Sequence, residues 1–325
     1  MGVGEVMYLS RSNVEKIDLS TKDVVDAVEK AFLEKGCGCV EMPPKPGIHP
    51  IENAFIHAMP AYIPKMHSAG MKWVSGFPDN FKIGMPYITG LLILNNPETG
   101  VPICIMDCTL LTAMRTGAAT AVAAKYLARK DSQTLAILGC GIQGRANLKY
   151  LSYIFSNLEE VKAYDIKLEN LNNYVVKMKR KHDLSVVAAN SPREAIKDSD
   201  VVVTAGPILK HPSPVIEASW FKDGGFACPL DFDSYWKPEA INSMDKFCTD
   251  DLDQLMYYKT TGYFSDIPEV YADLGEIVAG KKAGREDHEE RIMSMNLGLA
   301  IEDMAVAIKL YEEAKKKGIG IWLHL

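Results

Sequence analysis

The chain has 325 residues, 47% of them apolar, and a formal net charge of −6, enough material for two domains with packed cores. That charge balance argues against a nucleic-acid surface, and no apolar window reaches the length needed to cross a bilayer. The start, Met1-Gly-Val-Gly-Glu5, lacks a basic stretch followed by an apolar core, so the expected compartment is the cytoplasm.

Ser20 is placed to cap a helix whose apolar positions Val24, Val25, Val28 and Phe32 recur at helical spacing up to Gly36. A Pro-rich turn, Met42 to Gly47, separates it from four strand-like runs: Ala54 to Ala58, Gly70 to Ser75, Tyr87 to Leu94 and Val101 to Asp107. Asn95 to Gly100, between the last two, has the composition of a hairpin loop. These runs predict a sheet of their own. Thr109 to Ala128 is Ala-rich and reads as a long helix. Beyond it strand and helix alternate, with strands expected near residues 134–139, 160–165, 184–188, 200–205, 225–229 and 245–249. Arg291 to Lys317 carries Ile292, Met295, Leu299, Met304, Ile308 and Tyr311, and reads as one long amphipathic helix returning to cover the first domain. The expected fold is α/β: a Rossmann-type doubly wound parallel sheet over residues 121–295, plus a second α+β domain built from residues 1–120 with 296–325.

Of the seven cysteines, Cys104, Cys108, Cys140, Cys228 and Cys248 sit in apolar segments and are expected to be buried thiols. Cys37-Gly-Cys39 has the wrong spacing for a zinc knuckle, so no metal site is expected. Lys177 to Lys181 and Lys315 to Lys317 read as solvated helix ends.

The run Thr134-Leu-Ala-Ile-Leu-Gly139-Cys-Gly141-Ile142-Gln143-Gly144 joins a strand-like segment to a helix-like one through a complete GxGxxG, the context the dinucleotide fingerprint requires. Gly139 permits the tight turn, Gly141 lets backbone approach a pyrophosphate, and Gly144 allows close packing of helix on strand. Asp165 ends the next apolar run, where it is placed to bond both ribose hydroxyls and repel a 2′-phosphate; NAD is favoured over NADP. Lys72 sits inside an apolar strand, either snorkelling to water or paired in the interior. Arg115, on a helix of small apolar residues, is either half of a buried ion pair or a fork for a carboxylate ligand. Asp231 should emerge at the carboxyl edge of the parallel sheet, and Asp233 is expected to cap the helix that follows.

Met59-Pro60, Met71-Lys72-Trp-Val, the Asn95-to-Met106 hairpin, Leu111-Thr-Ala-Met-Arg115-Thr-Gly-Ala, Leu138-Gly-Cys-Gly-Ile-Gln143, Leu274-Gly-Glu-Ile-Val and Leu297-Gly-Leu-Ala-Ile-Glu-Asp303 occur in that order. Together they resemble the ornithine cyclodeaminase and μ-crystallin family over nearly the whole chain. The resemblance implies that Lys72 and Arg115 hold a substrate carboxylate, with Lys45 standing where many members have an arginine. It places Met59 beside the substrate, Thr89, Thr116, Thr204 and Asn296 on the cofactor side with the glycine turn, and Asp231 as the catalytic aspartate, with Lys72 also in the catalytic set. Members that act on ornithine carry a carboxylate two residues before the Met-Pro pair, near the distal amine; here that residue is His57. The segment Phe232-Asp-Ser-Tyr235 also departs from the Gly-Pro-Lys type of continuation in the cyclodeaminases.

What the resemblance implies chemically is hydride removal from Cα of an L-amino acid by NAD⁺, with Asp231 handling protons at nitrogen. The leading expectation is ornithine cyclodeaminase, a lyase that makes proline with no net oxidation. An amino acid dehydrogenase or a ketimine reductase is the alternative within the family, and a nucleotide-bound μ-crystallin-like binding protein the alternative outside catalysis. The partners expected are an amino or imino acid and a second copy of the chain, docked through the first domain's sheet. Lys72, Arg115 and Asp231 are expected to serve one bound nicotinamide.

Overall fold

The computed structural model describes residues 4–325; Met1–Val3, which open the segment read for a leader, lie outside the described residues. The chain divides into two compact units, Met1–Arg115 with Leu299–Leu325, and Thr116–Gly298.

The first unit begins with β1 (Glu5–Leu9), α1 (Arg11–Ile17) and α2 (Thr21–Gly36). The Ser20 hydroxyl accepts the Asp23 backbone N–H at 3.1 Å and starts α2 as its sequence predicts. Then come β2 (Gly47–Ile48), β3 (Phe55–Ile63), β4 (Ser68–Gly76), β5 (Ile88–Asn95) and β6 (Pro102–Asp107). α3 (Thr109–Leu127) leads out of this unit.

The second unit contains β7 (Thr134–Leu138), α4 (Ile142–Ile154), β8 (Glu160–Tyr164), α5 (Leu168–Lys181), β9 (Ser185–Ala188), α6 (Pro192–Ile196) and β10 (Val201–Thr204). It continues with β11 (Phe226–Pro229), α7 (Pro238–Ile241), β12 (Lys246–Thr249), α8 (Leu252–Thr260), β13 (Ala272–Asp273), α9 (Leu274–Val278) and β14 (Ile292–Met295). The chain then supplies α10 (Ala300–Lys317) and β15 (Ile321–His324) to the first unit. No described helix is long and apolar enough to cross a membrane.

The first unit's sheet has the order β15-β1-β6-β5-β4-β3-β2 and is antiparallel apart from the β1–β6 pair. α10 packs on β3, β4 and β5 and against α2, and it is buried continuously from Ala300 to Ile308. The second unit's sheet, β13-β12-β14-β11-β10-β7-β8-β9, is parallel throughout. Its strands run outward in both directions from the β7–β10 boundary, the switch point of a doubly wound fold, where ligands of such sheets bind. Strands buried on both faces, such as β10 and β11, read as the continuous apolar runs seen in the sequence.

One sequence-based expectation is corrected. Arg291 to Lys317 is not a single helix: Ile292–Met295 forms β14, inserted between β11 and β12, and α10 starts only at Ala300. All four residues of β14 are buried, and an apolar run this short fits a central parallel strand as well as a helix turn. Gly298, at φ 78°, lies between strand and helix in a conformation that breaks either. The nucleotide sheet is therefore incomplete until this late strand arrives. β1, α1, β2 and β15 have no counterpart among the sequence-based expectations, because each is short or lacks clean alternation.

A central β14 makes Met293, with no exposed surface, a core residue of the parallel sheet. Met293→Ala should cost about 2–5 kcal/mol in urea unfolding. A loss within experimental error would show that this strand is dispensable.

Candidate functional site

In the first unit, strand register gathers the site. Met59 on β3 pairs with Lys72 on β4, which pairs with Leu92 on β5, while His57 pairs with Val74 one step along. Alternation then puts His57, Met59, Lys72 and Leu92 on one sheet face, and all four are buried. Lys72 has no exposed surface; its ammonium lies 2.6 Å from Asp303 Oδ2. Asp303 Oδ1 accepts Arg115 Nε at 3.0 Å, and Glu302 Oε2 accepts Arg115 Nη1 at 2.9 Å. The acids sit in the first turn of α10 and have no exposed surface. Lys72 is therefore paired in the interior rather than snorkelling to water, and Arg115 takes part in the same buried ion-pair cluster. Burial, followed by the neighbouring Arg115 charge, lowers the Lys72 ammonium below its ordinary pKa, against the pull of Asp303.

His57 stacks on Phe55 at 4.3 Å between ring centroids. Burial first, then the charges of Lys45, His49 and Lys72, push its pKa down to about 3, so the imidazole is neutral. The strand passing beside it carries Gly47, where an added Cβ would lie 2.1 Å from the His57 ring. Lys45, two residues earlier, is buried.

Thr89 does not join this cluster. It pairs with Ser75, whose hydroxyl lies 3.0 Å from its own, so alternation sends it to the sheet face opposite Lys72. Thr116 is buried one residue beyond Arg115 on α3, and its carbonyl accepts the Thr120 hydroxyl.

In the second unit the expected residues line up along one sheet edge. Gly139 follows β7, Asp165 follows β8, Thr204 ends β10, Asp231 follows β11 and Asn296 follows β14, all at carboxyl ends of parallel strands. The three glycines divide the labour as their spacing predicts. Gly139, at φ 104°, has no room for a Cβ, which would meet the Ala205 carbonyl oxygen at 2.5 Å. A Cβ on Gly144 would lie 2.2 Å from the Gly139 oxygen, whereas one on Gly141 would meet nothing within 4 Å. The open side is therefore at Gly141, where α4 begins without a side-chain cap and Ile142 and Gln143 form its first turn. Such an uncapped start offers backbone donors to an anion.

Asp165 is more engaged than its sequence position implies. Its Oδ2 accepts the Cys140 backbone N–H and its Oδ1 that of Lys167, both at 2.8 Å, tying the end of β8 to the glycine turn. Asn296 is buried; its oxygen accepts the Ser294 hydroxyl at 2.8 Å, and its side-chain N–H group has no partner among the described residues. A buried donor left over at this edge suits a ligand.

Asp231 has no exposed surface and accepts the Thr204 hydroxyl at 2.7 Å and the Gly206 backbone N–H at 2.8 Å. Burial raises its pKa to about 7 despite those two donors, with the Asp233 charge adding to the rise. The expectation for Asp233 is corrected: its Oδ2 accepts the Phe264 N–H at 2.7 Å and caps no helix, since the N-cap position of α7 is Lys237.

The residues that sequence reasoning passed over are Glu302 and Asp303. Their signal was present, since adjacent acids inside Leu299-Ala-Ile-Glu-Asp-Met-Ala-Val-Ala-Ile308 are out of place unless cations meet them.

A doubly wound parallel sheet with a glycine turn at its switch point defines a dinucleotide-binding architecture, here with a second unit holding a buried lysine and arginine. The chain belongs to the ornithine cyclodeaminase/mu-crystallin family, whose profile matches residues 5–318. It is 37% identical over 324 residues to an alanine dehydrogenase of Archaeoglobus fulgidus, covering 97% of each chain. The structure of Thermococcus litoralis Δ1-pyrroline-2-carboxylate reductase in complex with NADH and L-proline superposes with a TM-score of 0.89 at 35% identity, covering 97% of this chain and 99% of that one. An archaeal alanine dehydrogenase dimer with bound NAD gives 0.88 at 35% identity, with 99% of each chain covered.

The stability tied to Asp231 is fully present below its unfolded value of 3.8 and is lost as pH rises through about 7, because the folded carboxyl holds its proton more tightly. Thr204→Val removes a donor that favours the carboxylate. The Asp231 titration, followed by carbon-13 NMR of its carboxyl, should move up by about one unit. No movement would mean that the hydroxyl does not govern this acid.

Proposed function

We propose that this protein is an NAD(H)-dependent oxidoreductase of small α-amino or α-imino acids, with a dehydrogenase or ketimine reductase activity fitting its site better than ornithine cyclodeamination. The observation that carries the choice is the neutral His57 within the field of Lys45 and Lys72. A dibasic substrate needs an acidic partner for its distal ammonium; His57 stands at the family position of that acid, and the charges named around it are cationic. A short uncharged side chain or a cyclic imine carries no such requirement.

The open side at Gly141, the uncapped start of α4, the acid Asp165 and the unpartnered Asn296 amide fit a dinucleotide with an unmodified ribose. A bound nicotinamide would supply hydride transfer to or from the substrate Cα. The first unit's part is to hold the α-carboxylate with Lys72 and Arg115, helped by Lys45, which fixes the orientation of Cα. Met59, facing Lys72 across the strands, bounds the space for the side chain. Asp231 holds or releases a proton at the substrate nitrogen, and a pKa of about 7 lets it act in either direction near neutral pH. Thr116 and Thr204 stay with the cofactor side in this reading, Thr204 acting through its hydrogen bond to Asp231. Thr89 takes no direct part.

A homodimer fits the first unit's sheet. Trp73 and Leu91 pair across β4 and β5 and are 45% and 46% exposed, flanked on the same face by half-buried Met71, Ile93 and Ile105. An apolar stripe of this kind is covered in a stable assembly, and an archaeal relative is a dimer.

A panel of L-alanine, L-proline, pyruvate with ammonium, Δ1-pyrroline-2-carboxylate and L-ornithine, read by both NADH absorbance and product analysis, tests the reading. Turnover of a neutral substrate is expected, with ornithine slower by at least an order of magnitude; proline and ammonia formed preferentially from ornithine would reverse the choice. Asp231→Asn should abolish turnover while NADH still binds, and loss of NADH binding would make the aspartate structural. His57→Glu should shift preference toward ornithine by about tenfold, the equivalent of about 1.4 kcal/mol, and an unchanged ratio would remove His57 from the side-chain pocket.

A further inference from the structure

We propose that Asp303 and Glu302 are positioning residues of the carboxylate anchor: Asp303 binds the Lys72 ammonium and the Arg115 guanidinium together, and Glu302 fixes a second edge of the guanidinium. The inference rests on the reading of Lys72 and Arg115 as that anchor.

The geometry carries it. Asp303 spends one oxygen on each cation, 2.6 Å to Lys72 and 3.0 Å to Arg115, so a single side chain sets the spacing between an ammonium on β4 and a guanidinium on α3. Glu302, its neighbour in sequence, holds Arg115 Nη1 at 2.9 Å and prevents the planar fork from turning about its Nε contact. Both acids are in the first turn of α10, where the positive end of the helix dipole stabilises them. The Ser68 hydroxyl donates to the Met304 carbonyl at 2.8 Å and fastens that same turn to the start of β4, the strand that carries Lys72. Helix and strand are thus pinned next to the pair they hold.

Charge balance gives the arrangement a second consequence. Among these four residues two cations meet two anions, which removes much of the penalty of burying an ammonium with no exposed surface. Among the described residues, the groups set against Lys72 are His57 and Met59 from β3, Leu92 from β5, Cys108 from the turn before α3, Arg115 from α3 and Asp303 from α10, while Glu302 meets Arg115. His57 is neutral, and burial pushes the Cys108 thiol up to about 11. Burial and Arg115 favour loss of the Lys72 proton, and Asp303 opposes it. Without the Asp303 charge, Lys72 would surrender its proton at lower pH, and a substrate carboxylate would lose the cation it binds.

The test uses the full chain with NADH, turning over whichever of pyruvate with ammonium or Δ1-pyrroline-2-carboxylate the wild type accepts, from neutral to alkaline pH. Asp303→Asn should raise KM about tenfold or more while kcat changes little, and the alkaline limb of kcat/KM should move about one unit toward neutrality, a shift a purely structural role would not give. Glu302→Gln should raise KM by a smaller factor and leave the limb in place. NADH binding, read by fluorescence, should be unchanged in both. If Asp303→Asn does not fold, Asp303→Glu keeps the charge one methylene further out, and a raised KM with an unmoved limb is then expected. An unchanged KM and limb in folded Asp303→Asn, or an unchanged KM in Asp303→Glu, overturns the proposal. Lys72→Met separates the two levels of inference: an unchanged KM there removes the anchor itself, whereas a raised KM beside an inert Asp303→Asn removes only the positioning role.

Discussion

The first unit is organised around one electrostatic problem, an ammonium with no access to water. A lysine in the middle of an antiparallel strand, facing the side that packs against a helix, would cost several kcal/mol if left alone. Here the covering helix solves it by presenting two carboxylates from its first turn, and Arg115 joins from a third element. This requirement explains why the chain, after completing the nucleotide sheet, must come back: the residues that balance Lys72 are 231 positions further on, at Asp303. The stretch from β14 to α10 therefore does two jobs in a few residues. It ends a central strand of one sheet with Asn296, turns at Gly298, and delivers Glu302 and Asp303 to the other unit.

Asp231 shows the opposite solution to burial. Among the described residues its carboxylate meets neutral donors, a threonine hydroxyl and a backbone N–H. Those donors hold the carboxyl in one orientation without forcing it to ionise, and burial keeps its proton affinity near neutrality. One buried acid thus sits against two cations, and another is left poised between states. The two environments differ in kind: Asp303 lies within an ion-pair cluster, and Asp231 lies among neutral donors with its proton affinity raised by burial.

Much of this was legible in the sequence, and for physical reasons. The glycine turn, the alternation of strand and helix, and Ser20 as a cap are local signals, determined within a few residues, and each is where its pattern placed it. Lys72, Arg115 and Asp231 stood out because a charge in an apolar setting is expensive. Besides the short elements, three features bearing on the site were not legible. β14 is too short for periodicity to separate strand from helix, and its identity is settled by neighbours far along the chain. The face on which Thr89 lies depends on pairing with Ser75, a register no local pattern specifies. Partners across long separations, Arg115 with Glu302 and Asp303 above all, can be suspected from composition but not matched.

The substrate question turns on the same distinction between a residue and its field. The family resemblance implies only that His57 stands where ornithine-acting members carry an acid, and an imidazole alone is compatible with an amine donor or with no charge at all. What narrows the choice is the company the strands impose: β2 brings the segment holding Lys45 alongside β3, and β4 places Lys72 next to the position paired with His57. Those cations, together with burial, keep the ring unprotonated and make the surroundings unfavourable to another positive charge. A substrate that arrives with one carboxylate and no second ammonium meets this field with the right sign. A dibasic substrate would bring a second positive charge into a field that already lowers the proton affinity of His57.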